Sequence, residues 1–216
     1  MRRSYAKFLL FFVLFTVICL IRQNTWVIDL DNWVYSKAME LSASRPWLKF
    51  WYGFTLIGNG QTVYSCFAAY IIHASFYLKN TRVLLFGLIS APFLVVNILF
   101  KHWFALIRPV SLAPFYPELT TYTFPSGHAF NAAILFFLLP YLVHQTYSSH
   151  AMFSSYLKRT FLVMIAMIAM SRVFLGVHWF SDVVGGSVLG LLVGMLLLAG
   201  FQRYVKQSPS NDSSIN

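Results

Sequence analysis

Apolar residues along this chain come in long runs, most of them bounded by Lys or Arg, with few charges inside. A helix needs about 20 such residues to cross roughly 30 Å of hydrocarbon. The pattern predicts six helices, over residues 6–26, 53–78, 82–101, 127–146, 160–177 and 182–203. The second is the least regular, because Gly58, Asn59, Gly60 and Gln61 interrupt it and predict a late start or a distortion. Between the first two, residues 27–52 mix polar positions with Trp33, Trp47, Trp51 and Tyr52, amphipathic rings that suit the headgroup level. Residues 102–126 carry Pro109, Pro114, Pro117 and Pro125, which oppose a continuous helix. Residues 147–159 read as a short polar link. The Ser- and Asn-rich stretch 207–216 is expected to be a disordered tail behind a single domain over 1–206.

Composition turns this pattern into a solvent. Of 216 residues 58% are hydrophobic and only six are acidic, too little charge to cover a soluble surface. The expected fold is therefore all-α, an integral membrane bundle of six transmembrane helices. Arg2, Arg3 and Lys7 precede the apolar run Phe8–Ile21 in the manner of a signal peptide, but no Ala-x-Ala-like site follows. The run is read as an uncleaved first helix. A net charge of +10 would suggest nucleic acid for a soluble protein. Here the cations sit at span ends, so no nucleic-acid partner is expected. Cys19 and Cys66 lie inside apolar runs without metal-ligand spacing and read as small apolar side chains.

The same cations set an orientation. With the N-terminus in the cytoplasm, nine Lys and Arg fall inside and seven outside; the outer set includes Arg22, Lys101, Arg108 and Arg172. Setting Lys101, Arg108 and Arg172 aside for chemistry leaves nine against four, which favours both termini in the cytoplasm. The 102–126 loop then faces outward.

Three segments place polar groups beside predicted spans, all on that outer face. They are Lys101 to Arg108-Pro109, Pro125-Ser126-Gly127-His128, and Ser171-Arg172 to His178 and Asp182. Lys101, Arg108 and Arg172 supply a point charge and two planar forks for phosphate oxygens. Ser126 offers a hydroxyl, Gly127 close backbone approach, and the helix beginning near His128 free N–H groups for an anion. Asp182, four residues after His178, can accept from one ring nitrogen and leave the other free to attack phosphorus. His128 can deliver a proton to a leaving oxygen near neutrality. No His-Glu-x-x-His or carboxylate cluster is present, so neither a metal nor another cofactor is expected.

These segments resemble the Lys-x6-Arg-Pro, Pro-Ser-Gly-His and Ser-Arg-x5-His-x3-Asp motifs of the type 2 phosphatidic acid phosphatase superfamily, with every named position present. The resemblance implies a metal-independent lipid phosphatase. His178 would carry a phosphohistidine, Asp182 would orient it, and His128 would be the general acid. Lys101, Arg108, Ser126, Gly127 and Arg172 would hold the phosphate. Size and the aromatic 27–52 stretch look most like bacterial members, which include undecaprenyl pyrophosphate phosphatases and B-type phosphatidylglycerophosphatases. The expected partners are the bilayer and a lipid phosphate, with the protein in the inner (cytoplasmic) membrane and its site extracytoplasmic. A lipid A or phosphatidate phosphatase, a lipid phosphotransferase and a non-enzymatic lipid transporter on the same scaffold are the alternatives. Gly186, Gly190 and Gly194, four apart, read as helix-packing positions.

Overall fold

The computed structural model describes residues 2–42, 44–77, 79, 81–90, 95–109, 121–147 and 151–207. Every regular element among them is helical: α1 (Arg2–Ile21), α2 (Thr25–Leu41), α3 (Arg45–Ile57), α4 (Gly60–Ile72), α5 (Thr81–Ser90), α6 (Val96–Phe104), α7 (Gly127–Tyr147), α8 (Ala151–Phe174) and α9 (Phe180–Gln207). A π-helical turn, His73–Tyr77, continues α4.

The expected helices four and six match α7 and α9. Helix five does not start where the hydropathy suggests. α8 begins at Ala151, so most of the polar stretch 147–159 is helical rather than a link. The expected second span is split. α3 ends at Gly58, and Asn59 opens α4 by accepting the Gln61 N–H at 3.3 Å. The third is present as α5 and α6, with residues 91–94 between them outside the described set. The disordered-tail expectation falls on 208–216, and most of the Pro-rich loop on 110–120, which also lie outside it.

The stretch 27–52 is not irregular. α2 leaves α1 at 93° and lies across the end of the bundle. Its exposed rings, Trp26 and Trp33, contrast with Trp51 on α3, which is buried and stacked on Phe174 at 4.4 Å. By length and apolarity, one described helix, within α9, meets the criterion for a membrane span alone, and α1 with α2 meets it only as a bent pair.

α7 is the centre of the packing, with α8 and α9 against it and α1 against α9. Phe130, Leu138 and Leu142 of α7 meet Leu189, Leu192 and Val193 of α9 in the main core. Glycines set the closeness of that pair. A Cβ on Gly190 would lie 2.5 Å from the Phe130 carbonyl oxygen, and one on Gly186 would overlap the Ser126 carbonyl. The approach brings the α7 and α9 N-termini together, beside the C-terminal ends of α6 and α8. Both cysteines are free, Cys19 half-buried and Cys66 exposed.

Candidate active site

Four helix ends converge here and between them carry the three motifs. α6 stops because Ala105 takes a left-handed conformation (φ 48°), its N–H bonding back to the Lys101 carbonyl at 3.0 Å. Lys101 is thereby left in the last turn of α6, and its Nζ donates to the carbonyls of Tyr122 (2.5 Å) and Thr123 (3.3 Å). Ser126 and Gly127 start α7. The Ser126 N–H donates to the Asp182 carbonyl at 2.9 Å, which ties the α7 start to the first turn of α9. Between α8 and α9, residues 175–179 form a tight connection in which Gly176 has φ +65° and the Val177 N–H bonds to the Arg172 carbonyl at 3.1 Å.

His178 lies in that connection, before α9 begins. It is 2% exposed. Its Nε2 is 2.9 Å from Arg108 Nη1. A guanidinium only donates, so Nε2 must accept and the ring proton resides on Nδ1. On that side Thr123 Oγ1 is 3.1 Å away and Asp182 Oδ2 3.4 Å. The Thr123 hydroxyl also donates to Asp182 Oδ2 in a short hydrogen bond. The pairing read from the sequence is thus mediated: Nδ1–H to Thr123, Thr123 O–H to Asp182. Asp182 Oδ2 further accepts the Trp179 N–H at 2.9 Å, which fixes the carboxylate at the start of α9.

The cations surround the buried imidazole. Arg108 is held by the Thr121 carbonyl (2.7 Å from Nε), the Val177 carbonyl (2.8 Å from Nη1) and Thr121 Oγ1 (2.9 Å from Nη2). Arg172, 2% exposed, donates to Thr55 Oγ1 of α3 at 2.5 Å. His128, in the first turn of α7, is within electrostatic reach of Arg172, His178, Arg108 and Lys101. The hydroxyl of Ser126 is fully buried and has no hydrogen-bond partner among the described residues, as a group awaiting an anionic oxygen would be. All eight residues singled out in the sequence therefore meet in one place. Burial, and then the charges of Arg108, Arg172 and Lys101, push the pKa of the His178 ring well below its ordinary value, which favours the unprotonated ring.

Several participants carry no motif. Asn97, one turn before Lys101, donates to the Pro125 carbonyl at 3.2 Å; its i, i+4 relation to Lys101 was the available signal. Thr55 and Thr121 give none in isolation. Arg22 reads as a boundary cation, yet it is 7% exposed, and its Nη2 meets Asp182 Oδ1 at 3.1 Å. The sequence hint was the shortage of acids: Asp31, its other partner at 3.2 Å, is one of only six.

Known proteins resemble this chain over much or nearly all of its length. A Bacillus subtilis phosphatidylglycerophosphatase B is 31% identical over 96% of this chain and 98% of its own. A Porphyromonas gingivalis lipid A 4'-phosphatase is 29% identical over 55% of this chain and 52% of its own. The crystal structure of a transmembrane PAP2 type phosphatidylglycerolphosphate phosphatase from Bacillus subtilis superposes with a TM-score of 0.83 at 27% identity, covering 93% of this chain and 98% of that one. The PAP2 superfamily model matches residues 80–206, the stretch that carries all three motifs, and the chain belongs to that superfamily.

Proposed function

We propose that this membrane phosphatase hydrolyses the phosphate ester of phosphatidylglycerophosphate, or a chemically similar lipid phosphate or pyrophosphate, through a phosphohistidine on His178. One observation carries the mechanism. Arg108 donates to Nε2, so the lone pair of His178 is aimed at the cation that would grip a phosphoryl group, while Nδ1 is committed to Thr123 and Asp182.

Lys101, Arg108, Arg172, the Ser126 hydroxyl and the Gly127 backbone would hold the phosphoryl oxygens and favour the crowded transition state. Nε2 attacks phosphorus, the P–O bond to the lipid breaks, and His128 protonates the leaving oxygen. Water, losing its proton to His128, then attacks the phosphohistidine and releases inorganic phosphate. Asp182 stabilises the positive charge that the imidazole acquires.

In this reading the chain crosses the membrane six times, with both termini in the cytoplasm and the site at the outer face of the inner membrane. The apolar runs, the Lys and Arg distribution and the transmembrane relatives support that layout. α3 with α4, and α5 with α6, would make the broken crossings. Residues 1–206 act as one catalytic unit. Phosphatidylglycerophosphate comes first because the relative with that name matches over nearly its whole length. Undecaprenyl pyrophosphate and lipid A belong in the test panel.

The test is phosphate release by purified protein in detergent across that panel, with and without EDTA and vanadate. Turnover should survive the chelator, stop with vanadate, and fall by several powers of ten in His178→Gln. Activity of His178→Gln within about tenfold of the unmodified protein, or loss in EDTA restored by a divalent metal, would overturn the mechanism. Labelled phosphate recovered on a lipid alcohol instead of in water would make the protein a phosphotransferase.

A further inference from the structure

Behind Asp182 lies a second layer of charge that the three motifs do not include. Arg22 sits in the corner between α1 and α2. Its Nη2 meets Asp182 Oδ1 at 3.1 Å and its Nη1 meets Asp31 Oδ2 at 3.2 Å. All three side chains are buried. Asp31, from α2, also accepts from Ser181 twice, from its N–H at 2.9 Å and its hydroxyl at 2.6 Å. Ser181 is the residue immediately before Asp182, so both carboxylates grip the first turn of α9. The guanidinium bridges them.

We infer that Arg22, backed by Asp31, is a positioning residue that holds Asp182 as an ionised carboxylate and sets the charge that His178 faces during the reaction. The inference rests on the phosphohistidine reading of His178. A lone buried carboxylate is costly and tends to take up a proton. Arg22 occupies Oδ1, leaving Oδ2 for Thr123, the Trp179 N–H and His178. Two carboxylates and one guanidinium carry one net negative charge. That matches the single positive charge that the imidazole gains when Nε2 bonds to phosphorus. The other charged groups around His178 are Lys101 from α6, Arg108 from the segment after it, and Arg172 from α8. All are cations on the phosphate side, so the Arg22 group is the sole source of balancing negative charge among the described residues facing His178. Because Arg22 makes no contact with the phosphate cations, its removal should act on kcat and leave KM nearly alone.

The charge argument gives an outcome that a purely mechanical tether would not. Arg22→Met leaves two buried carboxylates uncompensated. Arg22→Met combined with Asp31→Asn restores the single negative charge while removing still more of the tether. Purified full-length variants in detergent, assayed on the substrate turned over fastest, should show kcat reduced about 10- to 100-fold in Arg22→Met, with KM within about threefold. The double variant should recover a substantial part of that loss. A double variant no faster than Arg22→Met, or an Arg22→Met kcat within about twofold of the unmodified protein, overturns the inference. If Arg22→Met does not fold, Asp31→Asn alone decides, since Asn can keep a bond from Ser181. It pairs Arg22 with Asp182 alone, brings the group to zero net charge, and so removes the negative charge that balances the imidazole; kcat should fall at constant KM, and an unchanged kcat counts against the role. His178→Gln runs in parallel. If it stays active the underlying mechanism fails, and if it is inactive while Arg22→Met is fast, only the Arg22 assignment does.

Discussion

His178 works, in this reading, because of what each of its nitrogens touches. Arg108 dictates the tautomer from one side, and Thr123 relays the ring proton's bond to Asp182 on the other. The ring is nearly sealed from solvent and ringed by cations, so its pKa is held well below the usual histidine value, first by burial and then by Arg108, Arg172 and Lys101. The sign of the consequence is fixed. With a lowered pKa the ring remains neutral, and able to attack, as pH falls through about 6.5, where free imidazole would already be half protonated. The acid limb that His178 contributes to kcat/KM therefore lies below that value. Arg108→Gln removes the nearest cation, so protonation becomes easier and the limb moves to higher pH. Comparing the two proteins on one lipid substrate cancels the ionisation of the substrate itself, since it is common to both profiles. An acid limb at the same pH in both would contradict this account of the histidine.

At the scale of helices, the α7–α9 contact decides whether the motifs meet. The Gly186 Cα faces the Ser126 backbone and Gly190 faces the Phe130 carbonyl, neither of which can step aside without moving α7. Gly194 faces the ring of Phe137, 2.8 Å from where its Cβ would be, and a ring can turn. Gly200 has nothing within 4 Å. Alanine substitution should therefore be graded. Gly186→Ala and Gly190→Ala lower stability in detergent by about 1–3 kcal/mol. Gly186→Ala also lowers kcat, because it displaces Ser126 from Asp182. Gly194→Ala costs less, and Gly200→Ala is neutral or slightly stabilising through helix propensity. Thermal unfolding and phosphate release measured on the four variants check the order; a Gly186→Ala protein as active and stable as Gly200→Ala would break it. The glycine spacing was legible in the sequence because it repeats within one helix. The motif residues were legible for the same reason, being spaced within single segments. Arg22 was not, since its partner Asp182 lies 160 residues away and a cation at the end of an apolar run looks like an interfacial anchor. Thr123 was equally hidden, a hydroxyl in a loop whose role exists only once α9 is docked. The split at Gly58 was visible as an irregularity, but its reason is tertiary. A Cβ there would overlap Ile168 of α8 and approach the His128 Cβ at 3.6 Å, so the break lets α3 and α4 pack close behind that histidine.

For the molecule in its membrane, the charge distribution argues for a site at the outer face. Lys101, Arg108 and Arg172 surround His178, and Arg22 is buried on Asp182, so four cations on that face are committed to the site and do not anchor the protein to a headgroup layer. What remains outside is Lys37, Arg45 and Lys49, against nine Lys and Arg on the opposite side. The positive-inside rule, which counts cations near span ends, then favours the proposed layout with the termini in the cytoplasm and the site outside. α2 is consistent with this. It crosses the end of the bundle at 93° to α1, with Trp26 and Trp33 exposed, as a helix lying at the headgroup level over the site would. Single cysteines test the arrangement in a background with Cys19 and Cys66 replaced by serine. Ala113→Cys, in the stretch joining α6 to α7, should react with a membrane-impermeant maleimide in intact cells whose outer envelope has been permeabilised. Ser149→Cys, between α7 and α8, should react only after lysis. The reverse pattern would place the catalytic face in the cytoplasm and its lipid in the inner leaflet, while reaction of both cysteines in intact cells would mean that α7 does not cross.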